Sequence, residues 1–397
     1  MQRGLCFALC SATWAVAQIP SPGWLKLSGE YRARYEGLVH SRFDDSTDHY
    51  VFNRVRLEAI AQPATWLSAG AQIQDARIYA NELVPDGPPN EDSLDLRLGW
   101  VEIRPLPGFR IRAGRQDINY GNQRLIGTAH WGNASRSFDA VRVGYTRKNV
   151  ALDVFAAAVP PMRHERWNRR AKGDNIHGAG ATITSLPRNT SVELLGLWRA
   201  GGVNRLDVFT YDVRVLSDLR PAVRLTTELF AQHGNRNSVG MKAWGGNWRV
   251  ERSIADSWTV RGVYDYGSPD VQILYPTGHD RWGQNDLVGW KNVHHVASEL
   301  EWRTTKTWRF EGKYHAWWLA SASGGLFAAN GALVVRDPTG RSGRFVGQEL
   351  DILAAWTAGK RSSNGIGVGH IFPGTFLERT TPGRGFTMIY AFTMYAF

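Results

Sequence analysis

The chain has 397 residues, with Lys+Arg 47 against Asp+Glu 36, a formal net charge of +11, and 17 Trp, 13 Tyr, 16 Phe and 42 Gly. No apolar run is long enough for a membrane helix. The basic residues are spread along alternating segments of a chain that carries an export signal, which argues against nucleic acid as a partner. Both cysteines, Cys6 and Cys10, fall in that signal, so the mature chain must be held by hydrogen bonding and burial without a disulfide.

The N-terminus reads as a secretory signal peptide: Arg3, an apolar run from Leu5 to Val16 broken by Ser11 and Thr13, then Ala15-Val16-Ala17 before Gln18. Leu9 before Cys10 makes a poor lipobox. Residues 1–17 are therefore expected to be cleaved and residues 18–397 to form a single domain.

From Trp24 onward, segments of about ten residues alternate apolar and polar side chains, the signature of strands with two different faces. They are Leu27–Leu38, Tyr50–Gln62, Leu67–Tyr79, Leu94–Arg104, Arg110–Asn119, Phe138–Arg147, Val150–Val159, Ile176–Leu186, Thr190–Trp198, Arg205–Leu216, Val223–His233, Val239–Val250, Trp258–Gly267, Val293–Thr304, Trp308–Leu319, Val346–Ala358, Gly365–Phe372 and Gly385–Phe397. Short turns follow every even-numbered segment up to the sixteenth. Longer loops follow the first, third, fifth, seventh, thirteenth, fifteenth and seventeenth. Such alternation is the pattern of a transmembrane antiparallel β-barrel of eighteen strands, all-β, with short periplasmic turns and long extracellular loops. It places residues 80–92, 120–137, 268–291 and 321–344 at the exterior end, and the turns at Pro63, Pro105 and Pro187 at the periplasmic end.

The polarity of the two faces sets the solvent. Arg, Glu, Asp and His alternate with Trp, Tyr, Leu and Val, the reverse of a soluble barrel with an apolar interior. Hydrocarbon leaves no water for backbone groups, so a strand-built span must close on itself. Leu96, Val143 and Phe310 are expected to face lipid, with Leu94 and Leu98 on the same side of their strand. Arg97, Arg142 and Arg309 then face a lumen. Its wall would carry Arg32, Arg34, Arg54, Arg56, Arg97, Arg112, Arg142, Arg224, Arg261, Arg303 and Arg309, with Glu349 and Asp351 pairing with some of them. Tyr31, Tyr35, Trp100, Trp258, Trp302, Trp308 and Trp318 would form the interfacial girdles. Tyr395 and the terminal Phe397 look like a signal for the outer-membrane assembly machinery.

The stretch Gly114–Arg142 breaks the pattern. Its loop is longer than most and rich in function-bearing side chains, which is usual for a working loop. Folded into the barrel, it would place Arg115, Arg124, Arg136 and Arg142 at a constriction, with Asp139 holding one of them.

Gly114-Arg115-Gln116, Tyr120 to Gly127, Trp131 and Ser135 to Arg142 resemble the central signature of the alginate export family of outer-membrane proteins. Gly347-Gln348-Glu349-Leu350-Asp351 and the Gly365–Gly374 run resemble its C-terminal portion. The resemblance implies an eighteen-stranded barrel with an arginine-rich lumen that passes an anionic polysaccharide. Outer-membrane lipid and lipopolysaccharide would be its surroundings.

Guanidinium groups suit planar recognition of carboxylates, and arginines mixed with acids bind an anionic chain loosely enough to release it. Two other readings stay open: a porin-like channel for small anions or oligosaccharides, and a secreted soluble all-β carbohydrate-binding protein. No enzyme is expected. His294 and His295 fall on opposite faces, and no HExxH, Walker or CxxC pattern occurs. Glu299 and Glu301 share a face but read as wall charges. Neither metal nor cofactor is expected.

Overall fold

The structure is a computed structural model that describes residues 22–163, 166–170, 173–202 and 205–397. The cleavage site expected after residue 17 lies outside the described residues. The strands are β1 (Leu25–Val39), β2 (Thr47–Ala64), β3 (Leu67–Tyr79), β4 (Asp92–Ile103), β5 (Phe109–Gln116), β6 (Phe138–Arg147), β7 (Val150–Ala158), β8 (Asp174–Leu186), β9 (Thr190–Gly201) and β10 (Leu206–Arg220). They continue with β11 (Val223–Arg236), β12 (Val239–Ala255), β13 (Trp258–Gly267), β14 (Val293–Arg303), β15 (Trp308–Leu319), the short pair β16 (Leu326–Phe327) and β17 (Leu333–Val335), then β18 (Phe345–Ala358), β19 (Ser362–Pro373) and β20 (Phe386–Ala396). A single-turn helix, α1 (Thr375–Thr380), precedes β20.

All strands except β16 and β17 join one eighteen-stranded antiparallel sheet. Strand β1 pairs with β2 on one side and with β20 on the other, Tyr31 facing Val55 and Tyr395, so the sheet closes. Backbone hydrogen bonds between Gly29 and Phe397 extend this closure to the last residue. The barrel thus meets the requirement that no edge remain unpaired in lipid.

Side chains alternate across the wall because successive Cβ atoms point to opposite faces. Val55, Leu57, Val141, Val154, Leu229, Val296, Leu300, Leu350, Ile352, Ile366 and Ile389 are exposed on the outside. Arg32, Arg34, Arg54, Arg56, Asp95, Glu102, Glu228, His295 and Asp351 are buried on the inside. An apolar band outside a charged interior belongs to a barrel in a membrane, and rules out the soluble reading. Near the short-turn end Trp258 stacks on Trp302 at 5.1 Å and Trp308 on Trp356 at 5.0 Å, forming part of an aromatic girdle.

Two expectations about faces are corrected. Arg97 is an extra residue on β4, where Gln72 pairs with Leu98 and Ile73 with Leu96. A bulge of this kind shifts the side-chain phase by one. Leu98 and Trp100 therefore turn inward instead of facing lipid. Leu98 is buried, and the Trp100 ring lies 4.0 Å from the Arg112 guanidinium carbon.

The long loops do not simply project outward. Residues 268–291, expected at the exterior end, fold into the lumen as part of loop 268–292, together with loop 117–137. Ile126 and Tyr275 form a parallel bridge, and Tyr275 and Thr277 donate to the carbonyls of Leu125 and Gln123 at 3.0 and 2.9 Å. Val271, Leu274, Trp282, Val288 and Trp290 are buried with Ile118, Leu125 and Ile126 in a dry core inside the barrel. The β16–β17 hairpin caps it, Gly289 donating to Phe327 at 2.8 Å. Apolar loop side chains drive this collapse, since burial is favourable whether the surrounding wall is sheet or membrane.

Candidate conduction path

The inner face of β1–β4 carries the densest set of arginines. Arg34 pairs with Glu36 at 2.6 Å, Arg54 with Glu30 at 2.5 Å and Arg97 with Asp117 at 2.6 Å. Arg32 and Arg56 have only neutral hydrogen-bond partners among the described residues. These partners come largely from loop 117–137. Arg32 donates to the carbonyls of His130 and Gly132 at 3.0 and 3.1 Å, and Arg54 donates to the same two at the same distances. Arg34 donates to the Trp131 carbonyl and sits 4.1 Å from the Trp131 ring. Arg56 holds Ser135 Oγ at 2.6 Å. The wall arginines therefore grip the loop by its backbone acceptors.

Trp131 completes the docking. It stacks on His279 at 4.1 Å with planes 3° apart, and meets Tyr390 edge-on at 5.1 Å.

The arginines of the Gly114–Arg142 stretch are not gathered into one ring. Arg115 pairs with Asp139, its cross-strand neighbour, at 2.7 Å and also donates to the carbonyls of Leu96 and Asn168. Arg124 lies in the dry core, 3.1 Å from Asp265 and 5.0 Å from the Trp282 ring. Arg136 donates to Gly127 and Tyr275 carbonyls, both at 2.9 Å, so it fastens one inward loop to the other. Arg142 is held by Asp153 and lies 5.4 Å from the Tyr120 ring. It lines a cavity of about 270 Å³ with Arg110, Asp153, Glu193, Asp212 and Glu228.

Gly114 is required where it stands. Its φ of +119° and a Cβ that would collide with the Gly99 carbonyl exclude a side chain.

The remaining wall arginines lie further round or nearer the mouth. Arg112 pairs with Glu102 at 2.7 Å, and Arg261 with Glu251 and Glu301 at 2.6 and 3.1 Å. Arg224, Arg303 and Arg309 are half-exposed near the short turns, paired with Asp218, Glu301 and Glu311. Glu349 and Asp351 do not pair with arginine as expected. Glu349 accepts from the Asn285 amide at 3.0 Å, while Asp351 faces His315 at 3.2 Å and the Gln284 amide at 3.3 Å. The inward loop 268–292 reaches them first, through the Gln284 and Asn285 amides.

Sequence reasoning missed this second plug loop and the row it meets. His295 binds Asp265 at 2.8 Å and His315 at 2.9 Å, all on the inner face, while His294 points outward to Tyr264. Trp282 and Trp290 within a supposedly solvated loop were the available signal.

Solved structures of Pseudomonas aeruginosa proteins, the outer membrane protein OpdK among them, share the architecture. OpdQ matches with a TM-score of 0.65 at 11% identity, covering 94% of this chain and 98% of its own. OpdK, solved with vanillate, gives 0.67 at 12% identity over 94% and 98%. OccK2 (OpdF), solved in complex with glucuronate, gives 0.67 at 10% identity over 94% and 97%. At such identities the likeness concerns the fold. No curated protein matches the chain in sequence. The alginate export family matches residues 23–184 and 207–389. With that match across an eighteen-stranded barrel of outer-membrane form, the chain belongs to the alginate export family and is a channel of the outer membrane.

Proposed function

We propose that the channel passes an anionic polysaccharide of the polyuronate class along the arginine wall of β1–β4. The observation that carries this is the state of those arginines: Arg32 and Arg56 meet only neutral acceptors, chiefly loop carbonyls and side chains. Hydrogen bonds to an ionised acceptor are roughly twice as strong as neutral ones. A polymer carboxylate would therefore compete for the guanidinium groups with the carbonyls of residues 130–132. Displacing them frees loop 117–137 and offers the polymer successive sites. Glu30, Glu36 and Asp117, already paired there, keep each site weak enough for release. The chemistry is binding and release, without a catalytic step.

In planar bilayers polyuronate should block the current at concentrations where a neutral glucan of equal length does not. Arg32→Gln with Arg54→Gln should weaken that block and raise the open fraction, because the same side chains clamp the loop. Equal block by the neutral glucan would overturn the reading. Arg124→Gln with Arg136→Gln serves as the comparison, since those side chains fasten the plug from within.

A second reading rests on the sugar-sized cavity at Arg142. It is a channel for small organic anions, in line with the glucuronate in the OccK2 complex. Liposome flux of a uronate monomer without flux of the polymer favours it. Residues 1–17 as the cleaved leader, residues 18–397 as one domain, and the terminal strand as the mark read by the assembly machinery complete the proposal.

A further inference from the structure

On the inner face of β18, beneath the second plug loop, Glu349 and Asp351 are 1% and 0% exposed. Loop residues 284 and 285 lie directly on them. The Asn285 amide donates to Glu349 Oε1 at 3.0 Å and the Gln284 amide to Asp351 Oδ2 at 3.3 Å, with His315 Nε2 3.2 Å from the same Oδ2. One oxygen of each carboxylate is thus served. The other two, Glu349 Oε2 and Asp351 Oδ1, meet no donor among the described residues, and neither do the side-chain oxygens of Gln284 and Asn285.

Oxygens of Asn285, Asp351 and Glu349 converge on one point. Gly369 faces Asp351 across the β18–β19 ladder, and a Cβ there would fall within 3.2 Å of Asn285 Oδ1, Asp351 Oδ1 and Glu349 Oε1. The Asn285 amide cannot be turned to supply a donor. Its Nδ2 donates to the Phe386 carbonyl at 3.3 Å, and the reversed group would set oxygen against oxygen. Asn285 is itself 8% exposed, so water does not satisfy it from bulk. The cation facing Asp351 across the β15–β18 ladder, Lys313, is committed to Asp280 and Glu311. Buried carboxylates surrounded by acceptors carry a heavy desolvation cost unless positive charge joins them.

We propose that Glu349, Asp351, Asn285 and Gln284 bind a divalent cation of the calcium type, which latches the second plug loop to the barrel wall. An all-oxygen set with two carboxylates balances a double positive charge and suits a hard cation with flexible coordination. Zinc would favour nitrogen or sulfur ligands. Among the described residues no group of three or more His, Cys, Asp or Glu is placed to hold a metal. This site depends instead on two carboxylates joined by two amides. Its chemical rival is a proton shared between Glu349 and Asp351.

The test uses the full barrel in detergent, freed of lipopolysaccharide and treated with a chelator. Terbium, a luminescent stand-in for calcium, is excited through tryptophan, and Trp282 lies two residues from Gln284. Luminescence should saturate, be displaced by calcium and resist an excess of magnesium. Calcium alone should raise the unfolding temperature. Glu349→Gln with Asp351→Asn, and separately Gly369→Ala, should weaken both responses at least tenfold while the barrel remains heat-modifiable on a gel. Asn285→Ala removes one neutral side chain from a loop and gives the same comparison if the wall variants do not assemble. Unchanged affinity in the variants that fold overturns the site. So does a wild-type barrel whose stability follows pH and ignores calcium, since the pair then holds a shared proton only.

Discussion

Single side chains hold the plug by a few charged contacts, and these should respond to acid in a calculable direction. Asp280, in the second plug loop, accepts from Lys313 Nζ at 2.5 Å. Burial alone would raise its pKa, but the Lys313 charge and hydrogen bond, together with the nearby His279 and His315, outweigh burial and hold the carboxyl below its ordinary value. A carboxyl depressed in the folded state stabilises it above the unfolded pKa, ~3.9 for Asp, and that contribution fades as pH falls through the lower folded value. The loop should therefore stay docked from neutral pH down to about pH 4, by that reference value, and loosen only below it. Single-channel recordings across this range should show noise rising in acid, and Asp280→Asn should show that noise already at pH 7. A quiet Asp280→Asn channel at neutral pH would mean that the apolar core holds the loop without this ion pair.

At the scale of strands and loops, the wall was largely legible because the side-chain period of a strand is two and each face has its own solvent. Leu67–Tyr79, Phe138–Arg147, Trp258–Gly267 and Trp308–Leu319 have in the structure the bounds that alternation gives. Phase failed at Trp100, where the extra residue Arg97 leaves no mark in a sequence pattern. The site was less legible because its partners lie far apart in the chain. That Arg54 reaches the carbonyls of residues 130 and 132, or that Arg124 reaches Asp265, follows from tertiary packing and not from local spacing. Depth can be tested on the outer face. Ile352, 55% exposed in the middle of β18, should tolerate arginine poorly, at a cost of about 2–4 kcal/mol in a bilayer. Phe310 lies close to a short turn, where the same change should cost roughly 0–1 kcal/mol. Urea titrations of the two variants in lipid vesicles would compare them, and equal losses would contradict the placement of the hydrocarbon band.

The whole barrel has two unlike ends, and their orientation can be read on intact cells because the mature chain expected from Gln18 has no cysteine. A cysteine at Asn330, exposed beside the β16–β17 hairpin, should react with an impermeant maleimide, whereas one at Arg188, in the turn between β8 and β9, should not. The opposite result would invert the topology. The ladders around the barrel are also unequal. The β1–β20 closure has ten registered pairs, but β4 and β5 share only five, Gly99–Arg115 to Ile103–Ile111, the shortest ladder in the barrel sheet. Arg112–Glu102 and Arg115–Leu96 contacts also bridge this seam. Since opening costs scale with the bonds broken in a cooperative unit, the wall should breathe first between β4 and β5 and not where the chain's two ends meet. Hydrogen exchange in lipid should be fastest at the amides of Val101, Ile103, Ile111 and Ala113. Strand β5 runs straight into the loop gripped by the arginines, so a polymer that pulls this loop free also pulls on the weakest stave of the cask. The same sideways slack that lets the plug move would then limit how much load the barrel can bear before it splits.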